Sequence, residues 1–244
     1  MEQMAMPFLL NRIDGQLPEN VALTIAITGD KVTRSTGQRH TGFVVQSDDR
    51  KLWLFDLAWH KSVRRCELIR SYAFPPDIFI DEYSAATITA FLALNHKRSQ
   101  DEIKYSIGWN ERNYFDSQSD AYIAKEHGDG LTCATFVLEV LKHHGFDMIA
   151  RQTWPVTEED KTWQEAKLMQ LKEEDIPPSA EDFEVQSSLI GIAPRYRPEQ
   201  VIAAATLYDE EPLEYVAVSP VSDQVVRDLI ALGLDTYGSP AACA

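Results

Sequence analysis

Along the first third of the chain, apolar residues fall in short runs broken by polar turns, which is the pattern of strands. Val21 to Thr28 is β-rich and stops at Gly29-Asp30; His40 to Gln46 is a second run, closed by Ser47-Asp48-Asp49-Arg50; Lys51 to Trp59 is a third. The last two are expected to pair as an antiparallel hairpin, preceded by a polar, basic loop at Lys31 to Arg39. Leu52-Trp53-Leu54-Phe55 is apolar without a break, so its strand is expected to be buried on both faces, and Asp56 behind it is a charge that needs a partner.

After Pro75-Pro76 the period changes from two to about 3.6. Ile80 to Lys97 carries Tyr83, Ala86, Thr87, Ala90, Phe91 and Leu94 at the spacing of one helical face. Ile103 to Trp109 reads as a short strand, and Asn110 to Gly130 as a polar loop ending in the turn-prone Gly128-Asp129-Gly130. Leu131 to Leu141 then reads as a helix whose Cys133, Phe136, Val137, Val140 and Leu141 share a face, stopped by Gly145. That helix places Cys133 in its first turn, on the inward side.

Beyond Ala150 the character shifts. Arg151 to Glu184 holds ten acidic and four basic residues, the composition of a surface helix followed by a solvated connector, broken at Ile176-Pro177-Pro178. Pro198 to Leu207 and Val221 to Leu232 read as two further helices with a strand between them at Tyr215 to Val218, and Ser239 to Ala244 as a fraying tail. There is no internal repeat. The expected organisation is a catalytic unit at 1–150 and, at 151–244, an acidic connector and mainly helical extension that packs on it or caps it.

Composition narrows the function. With 23 Lys+Arg against 38 Asp+Glu and a formal charge of -15, the surface repels phosphate backbones, so nucleic acid is excluded as the expected partner; the acidic segment would instead suit a basic protein. No apolar stretch reaches the length of a spanning helix, so no membrane span is expected. Met1 to Gly15 has an acid at position two and only a short apolar run, so a cytoplasmic location is expected, although a secretion route without a cleavable signal would leave no trace. Three cysteines, Cys66, Cys133 and Cys243, form neither a disulfide framework nor a metal-ligand spacing, and Gly128-x-Gly130 lacks the third glycine and preceding strand of a dinucleotide fingerprint. No metal and no cofactor are expected.

The chemistry concentrates at Cys133. A cysteine at a helix N-terminus feels unpaired N–H groups and the positive end of the dipole, both of which favour the thiolate. His40, at the head of a strand, is the expected base, and Asp56 on the partner strand its orienter, because a hairpin centred on Ser47 to Arg50 sets residue 40 opposite about residue 57. The backbone N–H of Cys133 is placed to donate to an oxyanion. His60, at the end of the strand that carries Asp56, is the rival base or a substrate contact, and Trp59 and Trp109 are the tryptophans best placed to line a cleft. Each residue also has a plain structural use: a buried cysteine packs as a small hydrophobe, a strand histidine or aspartate sits at a rim. It is their combination that points to chemistry.

The order His40-Thr41-Gly42-Phe43-Val44-Val45, then a polar residue on the next strand, then Gly130-Leu131-Thr132-Cys133-Ala134-Thr135-Phe136-Val137, resembles the circularly permuted branch of the NlpC-like, papain-fold cysteine peptidases, which includes lecithin:retinol acyltransferase-like enzymes. The resemblance covers about residues 20–146. It implies an α+β fold of permuted papain type, an antiparallel sheet packed on the nucleophile helix, with Cys133 as nucleophile, His40 as base and then acid, and Asp56 as the orienting third residue; Tyr105 is expected as a second oxyanion donor from its position alone, on the strand before the cysteine helix. It implies a thiol hydrolase acting on a peptide, isopeptide or peptidoglycan stem-peptide amide through an acyl-enzyme. An acyltransferase or thioesterase with the same intermediate, or a catalytically silent adaptor in which Cys133 only packs, are the alternatives.

Overall fold

A computed structural model describes residues 9–29, 38–69 and 71–235. Most of the expected basic loop, the tail and Cys243 lie outside the described residues.

The architecture is α+β: a six-stranded antiparallel sheet with six helices. The strands are β1 (Asn11–Arg12), β2 (Leu23–Thr28), β3 (His40–Gln46), β4 (Leu52–Trp59), β5 (Ser62–Glu67) and β6 (Ala73–Phe74), in the order β1-β6-β2-β3-β4-β5. Period-two alternation divides the side chains between two layers. Leu23, Ile25, Ile27, Phe43, Val45, Phe55 and Leu57 join the main core. Ala26, Val44, Leu52 and Leu54 join a second cluster with Ile13, Leu17, Tyr72 and Phe74. The sheet is thus buried on both faces, as the unbroken run of β4 suggested.

The helices are α1 (Glu82–Ser99), α2 (Cys133–His143), α3 (Glu158–Lys172), α4 (Ala180–Ser188), α5 (Pro198–Leu207) and α6 (Tyr215–Ala231). In α1 the period is as expected but the phase is not: Ala85, Ile88, Phe91, Leu92 and Asn95 are buried, whereas Tyr83 is exposed. The aliphatic Ile88 and Leu92 outcompete the smaller Ala86, Thr87 and Ala90 for the core. α2 is buried along all of Cys133–Leu141 and packs against β3 and β4. Its one acid, Glu139, accepts from Trp109 Nε1 at 3.0 Å and from the Tyr114 N–H at 3.2 Å.

Two expected strands are absent. Residues 103–109 are extended but join no ladder: their backbone is satisfied by the Lys61 N–H, the Leu131 N–H and the side chains of His60 and Gln186. Tyr215–Val218 is the first turn of α6, which runs on through Pro220 in its second turn, where the missing N–H leaves the Val216 carbonyl without its helical donor. β5, β1 and β6 were not foreseen. The acidic stretch forms two helices, α3 and α4, where one helix and a connector were expected. α5 packs against β2 and α2 and gives Val201, Ile202 and Ala203–Ala205 to the main core, so the extension is joined to the same core as the sheet. No helix among the described residues is long and apolar enough to cross a membrane.

Candidate active site

α2 begins at Cys133 because Thr132 caps it. The Thr132 Oγ1 accepts from the Thr135 N–H at 3.2 Å, and the Thr135 hydroxyl accepts from the Thr132 N–H at 2.7 Å. This fixes Cys133 at the first helical position, where its own N–H has no partner within the helix. The thiol is 5% exposed.

β3 and β4 pair from Gln46↔Leu52 to Phe43↔Phe55, one residue out from the register expected from the turn. The difference decides the site. Continued along the strands, this register sets Gly42 opposite Asp56 and residue 58 opposite His40, so Asp56 shares a face with His40; the expected register would have turned it away. His40 Nε2 donates to Asp56 Oδ2 at 2.5 Å. The second ring nitrogen is left for Cys133, which is near enough that each group shifts the ionisation of the other.

Two residues that sequence reasoning missed complete the geometry. Gly42 lies where a Cβ would come within 2.8 Å of both the Asp56 Cβ and the Phe55 carbonyl, so only glycine lets β4 approach this closely. A glycine inside an otherwise apolar strand was the available signal. Arg64, directly across β4–β5 from Asp56, clamps the carboxylate with both arms of its guanidinium, Nε reaching Oδ1 at 2.9 Å. Nothing in the sequence reading had identified β5, so this partner stayed hidden.

Four charges therefore alternate in a row: Cys133, His40, Asp56, Arg64. Burial alone would push the Cys133 thiol up, but the charge and hydrogen bond of His40, joined by the Thr41 backbone, outweigh it and pull the thiol below its ordinary value. Burial likewise works against a charged His40, yet the charges of Cys133 and Asp56 raise the imidazole to about 10. Asp56, fully buried, is held below the usual carboxylate range by His40 and Arg64 despite desolvation. These shifts favour an ion pair of thiolate and imidazolium, backed by a carboxylate that Arg64 neutralises.

Cys133 opens onto a cavity of about 20 Å³, room for roughly one water, whose walls include Gln38, His40, Leu57, Trp59 and Tyr105. Trp59 and Tyr105 touch, ring centres 4.3 Å apart. Burial raises the Tyr105 phenol, keeping it a donor. The other two expected contacts lie elsewhere. His60 accepts the Tyr105 N–H on Nδ1 at 3.2 Å and is pushed down to about 4, chiefly by burial and then by Lys61; it stands behind Tyr105, outside the cavity wall. Trp109 lies under Arg151, whose guanidinium carbon is 3.1 Å from the ring centre, and against Tyr196, away from Cys133.

Among the described residues no three His, Cys, Asp or Glu side chains gather as a metal site, and Cys133 is a free thiol. Compared with known protein families, with characterised proteins and with solved structures, the chain matches none.

Proposed function

We propose that the protein is a thiol hydrolase of permuted papain-like type that cleaves an amide through a cysteinyl acyl-enzyme. The observation that carries this reading is the buried row Cys133–His40–Asp56–Arg64 at the N-terminus of α2. A merely packed cysteine has no need of a charged imidazole, and a structural histidine no need of a doubly held carboxylate.

The steps follow from the positions. The Cys133 thiolate attacks the carbonyl carbon, and the carbonyl electron pair moves to oxygen, where the Cys133 N–H and the Tyr105 hydroxyl are the donors at hand. The imidazolium of His40 gives its proton to the leaving amine as the C–N bond breaks, leaving a thioester. Water then attacks, His40 takes its proton, and collapse releases the acid and restores the thiolate–imidazolium pair. Asp56 orients the ring throughout, and Arg64 keeps Asp56 ionised.

The test is turnover of a panel of peptide amides, isopeptides and peptidoglycan stem peptides, read by amine release and by intact mass of the enzyme. The expected result is a thioester adduct confined to Cys133 and no turnover by Cys133→Ala at an unchanged melting temperature. Turnover by Cys133→Ala at the wild-type rate would overturn the reading.

A further inference from the structure

The chain carries 38 acids against 23 bases, and its partly buried arginines take carboxylates. Arg39 holds Glu199 and Asp235; Arg64 holds Asp56; Arg151 reaches Glu139; Arg197 holds Asp160 and Glu159. Lys167 and Arg195 do not follow this rule: among the described residues Lys167, on α3 and 4% exposed, bonds the amide oxygen of Gln170 at 3.1 Å and no carboxylate. Arg195, in the turn before α5, forms no ion pair among the described residues; the nearby Glu199 and Asp160 are already held by Arg39 and Arg197.

Both cations stack on rings of the aromatic cluster that reaches the Cys133 cavity through Trp59 and Tyr105; neither lines that cavity itself, and Arg195 also lines a separate one with Asp160 and Glu199. Lys167 Nζ stands 5.4 Å from the centre of the Trp59 ring, and the Arg195 guanidinium 4.2 Å from that of Trp163. Trp59 and Trp163 each have a buried indole N–H without an acceptor. Trp59, Trp163 and Tyr105 belong to one apolar cluster, which Leu168 and Leu171 of α3 complete. Lys167 is close enough to feel the charge of Cys133, and Arg195 that of Tyr105. A ring face lowers the cost of a buried cation but does not neutralise it. Two unmatched cations and two unused N–H donors around one patch are a set of groups missing an anion.

We propose that Lys167 and Arg195 form an anion subsite next to Cys133, and that the substrate carries a carboxylate beside its scissile carbonyl. This deepens the hydrolase reading and rests on Cys133 being the nucleophile. A carboxylate fits better than a phosphate because the donors are side chains stacked on separate rings and not a cradle of backbone N–H groups. The subsite belongs to the helical extension, so residues 151–244 supply specificity to a nucleophile they do not carry.

Two alkylating agents of nearly equal size test it: iodoacetate, which is anionic, and iodoacetamide, which is neutral. In each the Cys133 sulfur forms a bond to the CH2 carbon as iodide leaves, so the chemistry is constant and only the charge differs. The ratio of iodoacetate to iodoacetamide rates at Cys133, read by peptide mass mapping, is expected to fall on the order of tenfold in Lys167→Met and in Arg195→Met, the size of effect a unit charge has at a few ångströms in a half-buried site. An unchanged ratio in both variants overturns the subsite. So does a parallel fall in both rates, which would mean that Lys167 only stabilises the thiolate. Rapid iodoacetamide labelling with no preference for iodoacetate sinks the subsite and spares the nucleophile; a Cys133 inert to iodoacetamide sinks the nucleophile. In that last case the subsite is still tested by heat: glutarate must raise the melting temperature of the wild type above the value in glutaramide at matched ionic strength, and Lys167→Met must abolish the difference. No difference in the wild type overturns the subsite, and greater stabilisation by inorganic phosphate than by glutarate overturns the assignment to a carboxylate.

Discussion

Asp56 shows how much one residue can carry. It has no exposure; its Oδ1 accepts from Arg64, and its Oδ2 is shared by His40 and the second arm of Arg64. Asp56→Asn keeps the shape and removes the charge, leaving Arg64 facing a neutral amide. The expected result is a rise in the alkylation midpoint of Cys133 and a fall in kcat/KM on the order of tenfold or more, because the imidazolium loses its counter-charge. Arg64→Gln is expected to act in the same direction and more weakly, because it removes only the support of Asp56. The pair of Cys133 and His40 also sets a pH signature for stability. His40, raised from 6.5 to about 10, contributes stability that is full below 6.5 and lost as the pH climbs through 10. Cys133, lowered from 9.0, contributes stability that is full above 9 and lost as the pH falls through its folded value. From the higher of 6.5 and the folded Cys133 value up to 9, folded and unfolded chains each hold one proton across the two groups, so the sum is flat there and declines on either side. Thiolate ultraviolet absorbance, wild type minus Cys133→Ala, tells an ionised pair from a neutral one that holds the same single proton: it is expected already at neutral pH, and its appearance only above the free-thiol value of about 8.5 would show that the pair is not ionised. Of these four residues, three were legible: a cysteine opening a helix, a histidine opening a strand, and an acid stranded in an apolar run. Arg64 was not, because its part depends on a cross-strand pairing that residues 60–67, polar and mixed in charge, do not announce.

At the scale of elements, β3 and β4 were read within a residue of their ends, yet the site depended on the one property such patterns leave open, the register. The turn residues bound it to within one position, and one position is a change of face. Gly42 is where the register becomes chemistry, since the missing side chain lets Asp56 lie against β3. Gly42→Ala would force β4 outward or return it to a different pairing. The expected cost is about 1–3 kcal/mol in urea unfolding, the range for overpacking, together with slower alkylation of Cys133 as the Asp56–His40 contact lengthens. Loss of stability without any change in alkylation would separate the packing role from the catalytic one. Residues 103–109 fail as a strand for a physical reason of the same kind: β-like composition proposes an extended backbone, but a ladder needs a partner edge, and here the neighbours are side chains and loops. α1 and the start of α6 were misread in phase and in type because helix spacing and short β-branched runs are weak where burial is decided by distant elements.

For the whole molecule, the consequence is a closed site. The cavity at Cys133 admits about one water, and the aromatic wall that closes it, Trp59 and Tyr105, is covered by Leu168 and Leu171 of α3, Phe183 of α4, and Leu189 and Ile190 beyond it. An acyl substrate of the proposed kind needs more room at Cys133 than this cavity gives, and the cover is one wall whose movement would supply it. What holds it is a small number of polar ties to the loop before α2. Asp182 accepts from Lys104 Nζ at 2.8 Å and from the Gly128 N–H at 2.9 Å, while Gln186 accepts the Ile107 N–H at 3.2 Å and donates to the Tyr105 carbonyl at 3.3 Å. These ties run to the segment that contains Tyr105, so opening the cover and freeing the cavity wall are one event. Weakening a charge-assisted tie costs about 1.5–3 kcal/mol of local stability, equivalent to on the order of tenfold or more in the open population. Asp182→Asn is therefore expected to accelerate iodoacetamide labelling of Cys133 and amide exchange across 158–190, with little change in the global unfolding midpoint. Faster exchange in those helices without faster labelling would show that access to Cys133 is limited elsewhere, with the stretch around Gln38 and Arg39 the next wall of the cavity to test.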